Sequence, residues 1–431
     1  MNESDQLIVR PGRPLCGDLP VPGDKSISHR ALLLSALAGG ASRVENFLPS
    51  GDCLASLNCL RALGIPVDSH SATTLTIHGR GLSGLTPSDR PLDCVRSGTT
   101  MRLLAGILSG QSFTTTLTGD PQLLRRPMRR IVDPLRRIGA EINDSDGCAP
   151  LVIHGACLRS YNHKLEIASA QVKSALLLAG LYADGPTVVR QPAPARDHTE
   201  RMLSAMGASI ETAGLTVTLH PSTALSPLSL SIPGDISSAA FLLVAAILVP
   251  NSRITLMDVG TNPTRTGLLD VLERMGARIG LENERQGGNE PASDLGVNSS
   301  ELQGTEVGGE TVVRMIDEFP VLAVAATQAR GATVVRDAAE LRVKETDRIA
   351  TTVAELRKMG AQIKAMPDGF VVQGPTPLRG AVVHSHGDHR LAMALAVAGL
   401  VADGETVVNG FGSVSDSFPG FETALNSLAA G

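Results

Sequence analysis

The chain has no tryptophan, and only two tyrosines and eight phenylalanines. Proteins that hold single-stranded nucleic acid stack bases on aromatic side chains, and this composition removes that platform. The formal charge of −5 removes the basic excess that a general nucleic-acid surface needs. Cysteine is scarce too. Cys16, Cys53, Cys59, Cys94, Cys148 and Cys157 contain no Cys-x-x-Cys pair, and the chain is too large to need disulfide staples. They are expected to be reduced core or surface residues. The longest apolar stretch, Ala239 to Pro250, falls short of the roughly 20 residues that span a bilayer, so it reads as a buried helix. The polar, acidic opening Met1-Asn2-Glu3-Ser4-Asp5 resembles neither a secretory signal nor a transit peptide, and a cytoplasmic location is expected. What remains is small-molecule chemistry on a chain long enough for about two to three domains.

One pattern returns along the whole sequence. An apolar helix-like run ends in a Gly or Asn turn, and a β-branched strand follows. The copies are Arg30–Phe47, Met101–Leu117, Ser174–Arg190, Ala239–Leu256, Phe319–Arg336 and His389–Asn409, with turn residues Gly40, Gly110, Gly185, Asn251, Gly331 and Gly404. Between them a second helix recurs with the signature Leu-x-x-(Leu/Met/Ile)-Gly, at Leu60–Val67, Leu135–Ile142, Leu203–Ile210, Leu272–Ile279 and Leu356–Ile363. Glycine after the last turn is the expected left-handed helix stop. A sixth copy near Phe421–Leu428 lacks it. Each copy reads as strand, helix, strand, helix and paired strands, an α/β (α+β) class with both mixed in every segment. No Gly-x-Gly-x-x-Gly opens a helix, which excludes a dinucleotide fold.

Polar residues collect just before the apolar helices, at Gly23–Arg30, Arg96–Arg102, Ser169–Lys173, Gly234–Ser238, Asp317–Pro320 and Gly387–Arg390. Helix starts offer free backbone N–H groups and positive dipole, and six equivalent ones are expected to share a cleft that takes small anions. Lys25, Arg30, Arg102, Arg126, Arg196, Lys344, Arg348 and Arg390 supply cations for two phosphates and a carboxylate. Gly23-Asp24-Lys25-Ser26 lacks the spacing of a nucleotide-binding P-loop. Leu124–Arg130 reads as an anion clamp or a solvated face. His384, His386 and His389 around Asp388 look superficially like zinc ligands. The first two fall on one face of a strand and the third begins a helix, so no metal is expected.

Nine segments then stand in one order: Pro22–Arg30, Ser97–Leu103, Arg126-Pro127, Ser169–Lys173, Arg196–Glu200, Asn262–Gly267, Asp317–Pro320, Leu341–Arg348 and Gly387–Arg390. In this set the chain resembles the 5-enolpyruvylshikimate-3-phosphate synthase family over essentially its full length. The combination Gly-Asp-Lys, Ser-Ala-Gln-x-Lys, Arg-x-His-x-Glu and Asn-x-Thr-Arg is similar to the family's second class, often less sensitive to glyphosate. The resemblance implies two similar domains with six βαβαββ repeats, three in each. Residues 1–22 and 234–431 form one, with an N-terminal strand and three repeats, and residues 23–233 form the other. Hinges near 22–23 and 233–234 let the halves close on the substrates.

The implied reaction moves the enolpyruvyl group of phosphoenolpyruvate to the 5-hydroxyl of shikimate 3-phosphate through a tetrahedral intermediate. It needs no cofactor and no metal, in a monomer with no nucleic-acid or membrane partner, and glyphosate is an inhibitor to test. By the resemblance, Lys25, Ser26, Arg30, Ser169, Ala170, Gln171, Arg196, Asp317 and Lys344 contact shikimate 3-phosphate. Lys25, Gly98, Thr99, Arg126, Gln171, Arg348 and Arg390 contact phosphoenolpyruvate. Asp317 is the implied base and Glu345 the acid, with Lys25 and Lys344 stabilising charge on oxygen. A structural ion pair with a neighbouring arginine is the competing role for Asp317 and Glu345. Two positions depart from the family: Arg96 stands where many members have Asn, and Asp416 where the first class has Lys. The related UDP-N-acetylglucosamine enolpyruvyl transferases usually place a cysteine in a mobile loop, and the corresponding stretch Gly119–Met128 has none. RNA 3′-phosphate cyclase shares the repeat unit but uses a nucleotide-accepting histidine.

Overall fold

The apolar helices each bridge two parallel strands in the computed structural model, which describes residues 5–429. Leu92–Asp93 runs parallel to Thr115–Thr118 across the helix Gly98–Ser109, Tyr161–Lys164 to Thr187–Arg190 across Ala170–Gly180, and Glu306–Val307 to Gly331–Val335 across Phe319–Gln328. A parallel pair needs such a crossover, and burying the helix against the sheet supplies its stability. In five repeats a second helix leads to a hairpin whose far strand pairs antiparallel with the second strand, so these four-stranded sheets have the order first, second, fourth, third.

Two repeats take their first strand from elsewhere in the chain. Cys16–Pro20 lies parallel to Arg253–Gly260, and Leu230–Ser231 parallel to Gly39–Glu45. In the sixth repeat Thr406–Asn409 has Val382–His384 on one side and, antiparallel on the other, Gln6–Val9. The N-terminal segment therefore supplies two strands to two sheets, where one was expected.

The chain divides into two bodies: 1–22 with 234–285 and 291–431, and 23–233 with 286–290. The last five residues depart from the expected boundary. They turn the hairpin formed by Arg278–Gly287 and Glu290–Asn298. Buried Glu290 accepts a hydrogen bond from His198 Nδ1 at 2.7 Å, and the Asn289 carbonyl accepts one from Arg201 at 2.8 Å.

Each body has one apolar core. Helices Lys25–Ala36, Gly98–Ser109 and Ala170–Gly180 fill that of the 23–233 body, and Ile236–Leu248, Phe319–Gln328 and His389–Leu400 that of the other. Ile236–Leu248 is buried from Ile236 to Ile247, as its composition predicts. No helix among the described residues is long and apolar enough to cross a membrane. All six cysteines are free thiols, with Cys53, Cys59 and Cys94 buried.

The glycines that end the second helices, Gly64, Gly139, Gly207, Gly276 and Gly360, have φ of +83°, +102°, +83°, +99° and +91°. A Cβ is strained there, which is why this position recurs as glycine. Gly106 has a different reason. An ideal Cβ would lie 2.2 Å from the Ala175 carbonyl oxygen, so helices Gly98–Ser109 and Ala170–Gly180 meet backbone to backbone. Gly106→Ala is expected to cost about 1–3 kcal/mol by overpacking. A thermal melt reads this directly, and an unchanged Tm would contradict the close approach.

Candidate active site

Five of the six helix starts carry a side-chain cap that the sequence reading did not anticipate. Asp24 caps Ile27 N, Ser97 caps Thr100 N, Ser169 caps Val172 N, Asp235 caps Ser237 N, and Asp388 caps the amides of Arg390 and Leu391. Each cap satisfies one or two of the amides and, where it is aspartate, places negative charge on the positive end of the dipole. The start of Phe319–Gln328 carries no side-chain cap, and Pro320 in its first turn has no N–H to satisfy.

In the 23–233 body, Lys25 and Ser26 open the first helix. Lys25 Nζ pairs with Asp52 Oδ2 at 3.2 Å, and Arg196 approaches Ser26 Oγ at 3.5 Å. Arg30 is buried and donates to Thr199 Oγ1 at 2.7 Å, Ser174 Oγ at 2.8 Å and the Ser26 carbonyl at 2.9 Å. Burial lowers its pKa to about 10, with the charges of Glu200 and Asp24 opposing the shift. Ser169 and Ala170 start the third helix, and the next residue, Gln171, links two expected contacts. Its Nε2 donates to Thr99 Oγ1 at 2.9 Å, and its Oε1 accepts from Arg102 at 2.5 Å. A Cβ on Gly98 would lie 3.1 Å from Arg126 and 3.2 Å from Arg102, so both guanidiniums crowd this helix start. The run Leu124–Arg130 thus divides: Arg126 turns inward to Gly98, while Arg125 and Arg129 are exposed. Arg96 donates to Gln122 Oε1 at 3.0 and 2.7 Å and lies 3.5 Å from Asp120, so its charge is engaged by the start of the short helix Pro121–Leu124.

In the 234–431 body, Arg348 begins the helix Arg348–Lys358 and is buried among three carboxylates. Its Nε lies 2.8 Å from Asp388 Oδ2, one terminal nitrogen 3.1 Å from Asp317 Oδ1, and the other 2.7 Å from Glu345 Oε2. Burial alone lowers its pKa, and Asp388, Glu345 and Asp317 outweigh it and raise the pKa above the ordinary arginine value. The expected open clamp is thus an engaged one, and Asp317 and Glu345 do form the arginine ion pairs weighed against their catalytic roles. Lys344 ends the 3-10 turn Ala339–Val343, half-buried. Arg390 is buried too, and its Nε and one terminal nitrogen have no hydrogen-bond partner in the protein.

Among the described residues no three or more His, Cys, Asp or Glu side chains are grouped so as to hold a metal ion, those around Asp388 included. His386 is not on the strand, which ends at His384; it sits in a left-handed turn at φ +54° and donates to Glu355. Asp52, Asp388 as an ion-pair partner, Glu290 and Glu355 escaped the sequence reading. Asp388 alone carried a local signal, its place just before an apolar helix. Two of the motif pairs turn out to be contacts. Lys173, fully buried, pairs with Glu200 at 2.6 Å and donates to the Ala195 carbonyl, and Arg265 pairs with Asp235 at 3.0 Å. Glu200→Gln leaves Lys173 as an uncompensated buried charge, an expected loss of about 3–5 kcal/mol in denaturant unfolding.

Comparison with known proteins follows the same line. The family model described as EPSP synthase (3-phosphoshikimate 1-carboxyvinyltransferase) matches residues 9–425. The 3-phosphoshikimate 1-carboxyvinyltransferase of Desulforudis audaxviator is 52% identical over 424 residues, 98% of this chain and 99% of that one. The protein of the same name from Bacillus cytotoxicus is 48% identical, covering 97% and 99%. A solved EPSP synthase structure from Acinetobacter baumannii superposes with a TM-score of 0.89 at 42% identity over 98% of each chain. With that likeness extending across both bodies and every motif above, the chain belongs to the EPSP synthase (3-phosphoshikimate 1-carboxyvinyltransferase) family.

Proposed function

We propose that this chain transfers the enolpyruvyl group of phosphoenolpyruvate to the 5-hydroxyl of shikimate 3-phosphate, releasing phosphate. The observation that carries the reading is Arg390. Buried guanidinium N–H groups without a protein acceptor call for a ligand of carboxylate or phosphate charge, because an unmatched buried donor is costly. Shikimate 3-phosphate takes Lys25, Ser26, Arg30, Ser169, Ala170, Gln171, Arg196, Asp317 and Lys344. Phosphoenolpyruvate takes Lys25, Gly98, Thr99, Arg126, Gln171, Arg348 and Arg390.

In the addition step Asp317 takes the hydroxyl proton, the oxygen attacks C2 of phosphoenolpyruvate, and Glu345 protonates C3. The tetrahedral intermediate then returns a C3 proton to Glu345. The C–O bond to phosphate breaks, the double bond re-forms, and the proton first held by Asp317 leaves with the phosphate. Lys25 and Lys344 stabilise negative charge on oxygen. Arg348 holds both proton carriers. The carboxylate of phosphoenolpyruvate arriving at Arg348 competes with Glu345 and frees it to carry a proton. A cytoplasmic monomer that needs no cofactor fits this reaction. Glyphosate, with its carboxylate and phosphonate, competes for the phosphoenolpyruvate groups.

Purified protein mixed with phosphoenolpyruvate and shikimate 3-phosphate is expected to release phosphate, with UDP-N-acetylglucosamine as an inactive control acceptor. Release with only the control acceptor overturns the reading. Glu345→Gln is expected to lower kcat by about 100-fold while leaving shikimate 3-phosphate binding intact; an unchanged kcat removes its role as acid.

A further inference from the structure

Glu355 and His386 take no part in the reaction as written, yet the structure ties them to its anion clamp. Glu355 is buried on the helix that Arg348 begins, and it gathers three groups of donors. Lys358 Nζ lies 2.9 and 2.8 Å from its two oxygens, the His384 amide at 3.0 Å, and His386 Nε2 at 2.8 Å. Burial by itself raises the Glu355 carboxyl; the donors outweigh it and hold the group below the usual range, so it remains an acceptor at neutral pH.

The segment 384–388 is therefore gripped twice by one helix, at its start by Glu355 and at its end by Arg348 through Asp388. Between these points His386 and Gly387 both have left-handed backbones, at φ +54° and +75°. Ser385 braces the turn, accepting from the Gly387 amide at 3.1 Å and donating to the Gly410 carbonyl at 2.7 Å. A non-glycine residue in this region is uncommon, and the ring's bond to Glu355 favours the conformation. The turn exits directly into Asp388, which caps the amide of Arg390 at 2.9 Å.

We propose that Glu355 and His386 are positioning residues for phosphoenolpyruvate: their hydrogen bond fixes the turn 384–388 and thereby aims Arg390. The inference rests on the reading of Arg390 as a contact of that substrate.

Phosphate-release kinetics with each substrate varied in turn test it, alongside thermal melts. Glu355→Ala and His386→Ala are expected to raise KM for phosphoenolpyruvate about tenfold and to leave KM for shikimate 3-phosphate within about twofold. His386→Gln, which keeps a donor near the position of Nε2, recovers most of the loss. Should Glu355→Ala fail to fold, the half-exposed His386 carries the test. An unchanged KM for phosphoenolpyruvate in His386→Ala, with Arg390→Gln raising it, sinks the inference and leaves the reading of Arg390 standing. An unchanged KM in Arg390→Gln removes that reading and the inference with it. An equal rise in both KM values with a lowered Tm means a structural role only, and also overturns the proposal.

Discussion

Burying a guanidinium is costly unless its charge and N–H groups find partners, and Arg348 is matched by three carboxylates. Its partners come from three separate segments: Asp317 before the helix Phe319–Gln328, Glu345 before Arg348–Lys358, and Asp388 before His389–Leu400. Removing any of these loops from its place would leave part of the charge uncompensated, so the three are held in one arrangement. The same contacts keep the arginine protonated against the effect of burial. Function inherits this constraint, since the two carboxylates proposed to move protons and the cap that leads to Arg390 all answer to one side chain.

The 23–233 body solves the burial problem differently. Arg30 is surrounded by the hydroxyls of Thr199 and Ser174 and the Ser26 carbonyl, neutral acceptors that satisfy its hydrogen bonds without cancelling its charge. Burial accordingly lowers its pKa where that of Arg348 is raised. A positive charge held this way attracts an anion; one enclosed by carboxylates first organises its neighbours.

Several of the motifs read from the sequence occur together for a physical reason. The Lys173 of Ser-Ala-Gln-x-Lys meets the Glu200 of Arg-x-His-x-Glu, and the Arg265 of Asn-x-Thr-Arg meets the Asp235 that caps a buried helix. Each of these charges is buried, and none is tolerable alone. Substitution of one partner therefore couples to the other, which makes each pair a single unit of sequence.

What could be read from the chain was whatever depends on near neighbours. The apolar helices, the β-branched strands after them and the glycines at left-handed stops follow from local periodicity and backbone sterics, so all six repeats were visible. The family resemblance named the residues of the candidate site, and Asp317, Glu345 and Arg348 do meet. Their partners were not legible: Asp388 lies 40 residues from Arg348, and Glu290 lies 92 from His198. Nor could local reading tell that the N-terminal segment splits between two sheets, that 286–290 joins the 23–233 body, or that His386 leaves its strand for a left-handed turn. Backbone preference acts over a few residues and is written in order along the chain. Charge pairing acts through space in a low-dielectric interior, and only the packed fold decides which distant groups share it.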